Sequence, residues 1–188
     1  VGKRCREWAK RNLPKGFKYS NDPKADVFIS VLYDTIIKED FISKRRCYNF
    51  HPGILPQQRG SGICSWVLIN NEKEMGITLH KIDKGIDSGD VIHIHKFAVQ
   101  PEDTANSLFM KAESIIFQMF MDWFHDLLNE RYVATPQDES KAKIYYRRDL
   151  ERFADITRII KAFHFIGKPP CYYITMGGIR KEIKYEAN

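Results

Sequence analysis

Hydrophobic and polar positions along this chain recur with two periods, one of strands and one of helices. Residues 3–13, KRCREWAKRNL, predict a short basic helix that stops near Pro14 and Gly16. ADVFISVLY (25–33) carries a nearly continuous apolar run from Val27 to Leu32, the pattern of a strand buried on both faces of a parallel sheet. TIIKEDFIS (35–43) fits a short helix and CYNF (47–50) a second strand. SGICSWVLINNE (61–72) fits a helix started by Ser61. MGITLHKI (75–82) predicts a strand with Ile77 and Leu79 on one face and Thr78 and His80 on the other. VIHIHKFAV (91–99) alternates almost without fault, as an antiparallel or edge strand does.

A long helix is predicted over 105–131, with Asp103 or Thr104 as its N-cap. Leu108, Ala112, Ile115, Met119, Trp123 and Leu127 recur at helical spacing, and Phe109, Phe117, Phe120 and Phe124 widen the stripe beyond one face. Such a helix is buried on two sides, against the sheet and against a second body such as a partner subunit. After TPQDES (135–140) the pattern changes. AKIYY (142–146) reads as a strand and DITRIIKAFHF (155–165) as an amphipathic helix. Residues 169–178 and 180–186 read as a hairpin around Gly177 and Gly178. Strands alternating with helices predict an α/β fold with a mostly parallel sheet. The expected division is a main domain over 1–134 and a small α/β extension over 135–188.

Composition adds bounds. Of 188 residues, 43% are hydrophobic, enough for one core, and no apolar run has the length of a membrane span. The basic start has no apolar run behind it, so it does not resemble a signal peptide. Cys5, Cys47, Cys64 and Cys171 form no CxxC pair, which argues against structural zinc and for free thiols in a reducing cytoplasm. The net charge of +6 suits an anionic substrate or polyanionic partner, or simply a solubilising surface. There is no basic stripe with interleaved aromatics.

Candidate chemistry concentrates after the second strand. Asn49 and His51 are two residues apart at a strand end, so they share a face. Open α/β sheets bind ligands at the carboxyl ends of their strands. Locally the pair is either a site or a capping amide beside a structural histidine. Asp87 comes 36 positions after His51 (51 to 87), in the turn-rich GIDSGD. A carboxylate there orients an imidazole or merely forms a turn, and Asp83 and Asp90 are neighbours local reading does not separate from it. Arg59 either binds a substrate phosphate or bridges loops. His80 either lines the site or supports it. His93 and His95 share a strand face, but no cysteine or carboxylate completes a ligand set, so no metal is expected. Cys64 has no base spaced to it and reads, with Trp66, as core.

NFHPGILPQQRG, then GITLHKIDKGIDSGDVI at that 36-residue interval, resemble the folate-dependent formyltransferase family. The resemblance covers about residues 25–130. QDESKAKIYYRRDL and the residues beyond it also resemble the segment after the catalytic domain in sugar-nucleotide and tRNA members. The resemblance implies a Rossmann-like formyltransferase sheet, shortened or compressed at its front. It implies that Asn49, His51 and Asp87 are catalytic and that the Leu55–Pro56 bond is cis. It implies that Leu32, Tyr33, Ile36 and the 83–87 loop, with Asp83 and Ile86, hold the pterin of 10-formyltetrahydrofolate. Gly53 and Arg59 would face the acceptor.

The implied reaction is direct formyl transfer to an amine, without metal or covalent enzyme intermediate. Gly53, where the family more often has serine, and the YYRRDL segment favour a nucleotide-linked amino sugar as acceptor. The expected protein is a cytoplasmic homodimer. The alternatives are a methionyl-tRNA formyltransferase without its tRNA-binding domain, or a family member that binds folate without catalysis.

Overall fold

The computed structural model describes residues 1–22, 24–33, 37–152, 171–174 and 180–183. Its main sheet has the order β1 (Val27–Val31), β2 (Arg46–His51), β4 (Glu74–Lys81), β5 (Val91–Ala98). β1 and β2 are parallel, and β4 is antiparallel to both β2 and β5. Three of the four strands therefore run one way, with β4 reversed between β2 and β5. The short β3 (Arg59–Gly60) lies outside this sheet and pairs in parallel with β6 (Ile144–Tyr145).

β4 is the central strand and is buried on both faces. Met75, Ile77 and Leu79 join the hydrophobic core, while Thr78 and His80 are buried on the opposite face. β5 is an edge strand, antiparallel to β4, as its alternation implied. β1 differs from its expectation. It forms the other edge of the sheet, and only Ser30 is buried. Val27, Ile29 and Val31 are half-buried against the core, because only one of the strand's edges has a paired neighbour among the described residues. A cleft of about 990 Å³ runs beside β1 and is walled by α1 (Gly2–Arg11) and residues 16–28.

α4 (Ala105–Leu128) starts at Thr104, whose hydroxyl accepts the Ser107 N–H at 3.1 Å while the Ser107 hydroxyl accepts the Thr104 N–H at 3.0 Å. Leu108, Ala112, Ile116, Met119, Phe120 and Leu127 face the core, with Ile116 rather than Ile115 at its centre. Trp123 turns to His93, with ring centroids 5.3 Å apart. The second body against α4 is α1: Trp8 meets Phe120 and Phe124 edge-on at 6.1 and 5.5 Å, and Arg4 covers Phe117.

α2 (Glu39–Ile42) is a single turn, shorter than expected. α3 (Ile63–Ile69) is capped by Gly62 at φ 77°, not by Ser61. The Ser61 hydroxyl instead accepts the Arg147 N–H, tying α3 to the chain after β6. Trp66 and Cys64 are buried in this region. β7 (Cys171–Ile174) and β8 (Arg180–Ile183) pair antiparallel, as the hairpin expectation required. The helix expected over 155–165 lies outside the described residues.

Candidate active site

The parallel strands β1 and β2 end on the same edge of the sheet, in register from Val27 opposite Arg46 to Val31 opposite Phe50. Asn49 and His51 occupy the last pleat of β2. Across the antiparallel ladder, Asn49 faces His80 and His51 faces Thr78. Beyond His51 the chain turns sharply. The Leu55–Pro56 bond is cis, as the resemblance implied. Thr78 holds the turn: its hydroxyl donates to the Gly53 carbonyl at 2.6 Å and accepts the Leu55 N–H at 3.2 Å.

The loop between β4 and β5 returns Asp87 to this point. Asp87 sits at φ 46°, a left-handed conformation that side chains disfavour. Its Oδ2 accepts the Gly60 N–H at 2.9 Å and lies 3.4 Å from His51 Nδ1. Its Oδ1 accepts from Asn49 Nδ2 at 3.4 Å and lies 3.5 Å from His80 Nε2. Asn49, His51 and the distant Asp87 thus converge within contact distance, and neither Asp83 nor Asp90 does so. Asp83 braces its own loop, accepting from the Gly85 N–H and the Ser88 hydroxyl. Asp90 lies 3.5 Å from Lys81.

The partners fix the imidazoles. His80 Nδ1 lies 2.6 Å from the Lys81 carbonyl, and its Nε2 lies 3.2 Å from Asn49 Nδ2 and 3.5 Å from Asp87 Oδ1. His51 Nε2–H donates to the Gln58 carbonyl at 2.6 Å, and its Nδ1 faces the Asp87 carboxylate. Both nitrogens of His51 therefore face acceptors, which the imidazolium satisfies and the neutral ring satisfies only once. Burial nevertheless holds the His51 pKa below its ordinary value, with Asp87 pulling the other way and His80 adding to the burial effect. Burial also acts to raise the Asp87 pKa, but His51, His80 and the Gly60 N–H outweigh it and keep the carboxyl well below the usual range.

Other expected residues fall around this centre. Leu32 comes directly after β1 at φ 51° and is half-buried. Tyr33 is 57% exposed and Ile86 43%. Ile36 lies outside the described residues. The backbone of Gly53 packs against His51: a Cβ added there would fall 2.6 Å from His51 Nε2. Arg59 bridges loops. It is 4% exposed, and its guanidinium donates to Gln137 and to both carboxylate oxygens of Glu139. Cys64 is pushed up to about 12 by burial, which removes it as a thiolate nucleophile. Among the described residues no three His, Cys, Asp or Glu side chains are grouped to hold a metal.

The Asn49 amide and the His51 ring, which is cationic only once protonated, form a hydrogen-bonding pocket beside a carboxylate that stays ionised. That set suits an oxyanion and a departing proton, the two charges of acyl transfer to an amine. The sequence model of the family described as Formyl transferase matches residues 9–121. The chain belongs to the formyl transferase family. Within it, a methionyl-tRNA formyltransferase from Kosmotoga olearia is 31% identical over 133 residues, which is 70% of this chain and 43% of that protein. The chain spans less than half the length of the curated relatives it matches. An N-formyltransferase from Helicobacter canadensis, solved with folinic acid and dTDP-3-aminofucose, superposes with a TM-score of 0.70 at 27% identity, covering 85% of this chain and 63% of that one. A 4-N formyltransferase from Francisella tularensis has the same fold, with a TM-score of 0.79 at 20% identity over 88% of this chain and 72% of its own. As in those formyl transferases, the α/β fold here is built on a mostly co-directional sheet. Gln58 and Gln137 escaped the sequence reading, because one contributes a backbone carbonyl and the other a neutral amide.

Proposed function

We propose that this chain transfers a formyl group from 10-formyltetrahydrofolate to the amino group of a nucleotide-linked amino sugar. The observation that carries this is the convergence of Asn49, His51 and Asp87 within 3.4 Å contacts at the sheet's carboxyl edge. The donor's pterin would lie against Leu32, Tyr33 and Ile86, with the Asp83 loop completing its surroundings. Gly53 borders the acceptor side. The sugar acceptor is supported by the likeness to the Helicobacter canadensis enzyme and its bound dTDP-3-aminofucose.

The acceptor amine attacks the formyl carbon, and a new C–N bond forms as the carbonyl becomes a tetrahedral oxyanion. Asn49 Nδ2–H meets that oxyanion, exchanging the longer of its two bonds, the one to Asp87. His51, once protonated with the support of Asp87 and the Gln58 carbonyl, sets a positive charge beside it. One oxyanion donor is worth about 10²–10³ in rate. Asp87 receives the proton that the amine loses, directly or through water. Collapse breaks the bond to N10, and His51 supplies the proton that tetrahydrofolate takes away. Such acid–base assistance is worth roughly 10²–10⁴.

A second acceptor has its own support: the 31% identity to a methionyl-tRNA formyltransferase. Release of tetrahydrofolate separates the two when the protein is given the donor with dTDP- or UDP-amino sugars, or with charged initiator tRNA. Turnover with the sugar nucleotides is expected. Turnover with tRNA alone would transfer the assignment to the second acceptor, and none with any amine would leave only folate binding. A homodimer is the proposed assembly, through the outward side of α4 where Met110 is 60% exposed. The cytoplasm is the proposed compartment, consistent with Cys5, Cys47 and Cys64 as free thiols.

A further inference from the structure

Gln137 lies fifty residues after Asp87, beyond the segment matched by the family model, yet its carboxamide is fully engaged at the site. Nε2 donates to the Asp87 carbonyl at 2.8 Å and to the Gly89 carbonyl at 2.7 Å. Oε1 accepts from Arg59 Nε at 3.1 Å and Nη2 at 2.9 Å. Two donors to carbonyls and two acceptances from a guanidinium exhaust this amide, and they fix which end is oxygen. Arg59 is itself held by Glu139, at 2.9 and 2.5 Å.

This grip falls where Asp87 needs it. The left-handed backbone at Asp87 carries a conformational cost that neighbouring contacts must hold in place. The side chain is fixed by the Gly60 N–H, and Gly60 is next to Arg59 on β3. The main chain is fixed by Gln137. Val91, just after the loop, exchanges two backbone hydrogen bonds with Thr135, just before Gln137. β6 then pairs with β3 and closes the ring of contacts.

We propose that Gln137 is a positioning residue for Asp87, braced by Arg59 and Glu139, so that residues 135–145 complete the active site. Its effect on turnover rests on the formyl-transfer function proposed above; its effect on geometry does not. Loss of the clamp lets Asp87 relax away from His51. The titratable groups facing His51 are Asp87, which supports its protonated form, and His80, which opposes it; the Gln58 carbonyl adds support to the protonated form.

The test uses Gln137→Leu, which removes all four hydrogen bonds, and Gln137→Glu, which keeps an acceptor for Arg59 but cannot donate to the two carbonyls. Folding is checked by melting, and Gln137→Glu decides if the leucine variant does not fold. Turnover should fall by about 10- to 100-fold, with KM for 10-formyltetrahydrofolate within twofold of the parent. The His51 titration, tracked by NMR of the ring, should move to lower pH. An unmoved His51 titration in a folded Gln137→Glu protein overturns the proposal, whatever happens to turnover. Should the parent itself release no tetrahydrofolate, the proposed function fails, while the His51 titration still decides the role of Gln137.

Discussion

Replacing Asp87 by asparagine keeps the shape of the side chain and removes one charge. The carboxylate sits 3.4 Å from His51 Nδ1, and at an effective dielectric near 20 an imidazolium at that distance is attracted by on the order of 5 kcal/mol. Without it, only the Gln58 carbonyl still opposes burial and the nearby His80, and the His51 pKa falls further below its ordinary value. The variant then lacks the cation beside the oxyanion and the acceptor for the amine proton. Turnover should fall by about 10²–10³ at least. Folding should suffer much less. The Gly60 N–H still meets an oxygen, and the charge assistance lost there is about 1 kcal/mol. That corresponds to a melting-point shift of about 2–4 °C for a chain of this length. The assay is tetrahydrofolate release under saturating donor, with a melting curve on the same sample. Turnover within fivefold of the parent, from a protein that melts normally, would refute the role assigned to the carboxylate.

Acid should destabilise the fold through Asp87 and Asp103, whose carboxyls burial acts to raise but whose partners hold below the ordinary 3.8. A depressed folded pKa gives stability that is present above the unfolded value and lost as pH falls through the folded one. The melting temperature should therefore begin to fall below about pH 6.5, where the unfolded chain protonates His51 and the folded one resists it, and fall again below about 4, and Asp87→Asn should make that second drop shallower. Thr104→Ala removes one half of the α4 capping pair and should cost about 1 kcal/mol, read from chemical denaturation, with turnover unchanged. Cys5 and Cys64 are raised by burial to about 11 and about 12, and Cys47 is raised for the same reason. An aromatic disulfide reagent should leave all three unmodified in the native protein at pH 8; rapid labelling of any of them would contradict its burial.

Local pattern disclosed most of the elements. The alternation of VIHIHKFAV is that of a strand half-open to solvent, and β5 is such a strand. Leu108 to Leu127 advance at helical spacing, and the Thr104 capping pair begins the helix where side-chain oxygens precede the apolar stripe. β1 misled for a physical reason. An apolar run reports that a strand is covered, but not by what, and β1 is half-covered at a sheet edge. Ser61 misled similarly: a serine before an apolar run suits an N-cap, but its hydroxyl is held by Arg147 from another segment.

The candidate site divides in the same way. Asn49 and His51 are legible as a pair because two residues on a strand share a face. Asp87 is singled out among three nearby aspartates only by the family spacing, and the fold then brings it to His51 while Asp83 and Asp90 face elsewhere. Arg59 had two readings, and its bonds to Gln137 and Glu139 favour the bridge. Gln137 gave no local signal. Its contribution is an amide reaching two main-chain carbonyls, and no residue pattern marks which carbonyls a loop will present.

The central claim is that Asn49, His51 and Asp87 transfer a formyl group to an amine. Its most direct measurement is single-turnover transfer of isotopically labelled formyl from 10-formyltetrahydrofolate to an amino-sugar nucleotide, by the parent and by His51→Ala. The account predicts label on the amine with the parent and, from a folded His51→Ala protein, transfer slowed by about 10²-fold or more. Equal transfer by both proteins, or no labelled amine from the parent, would contradict it.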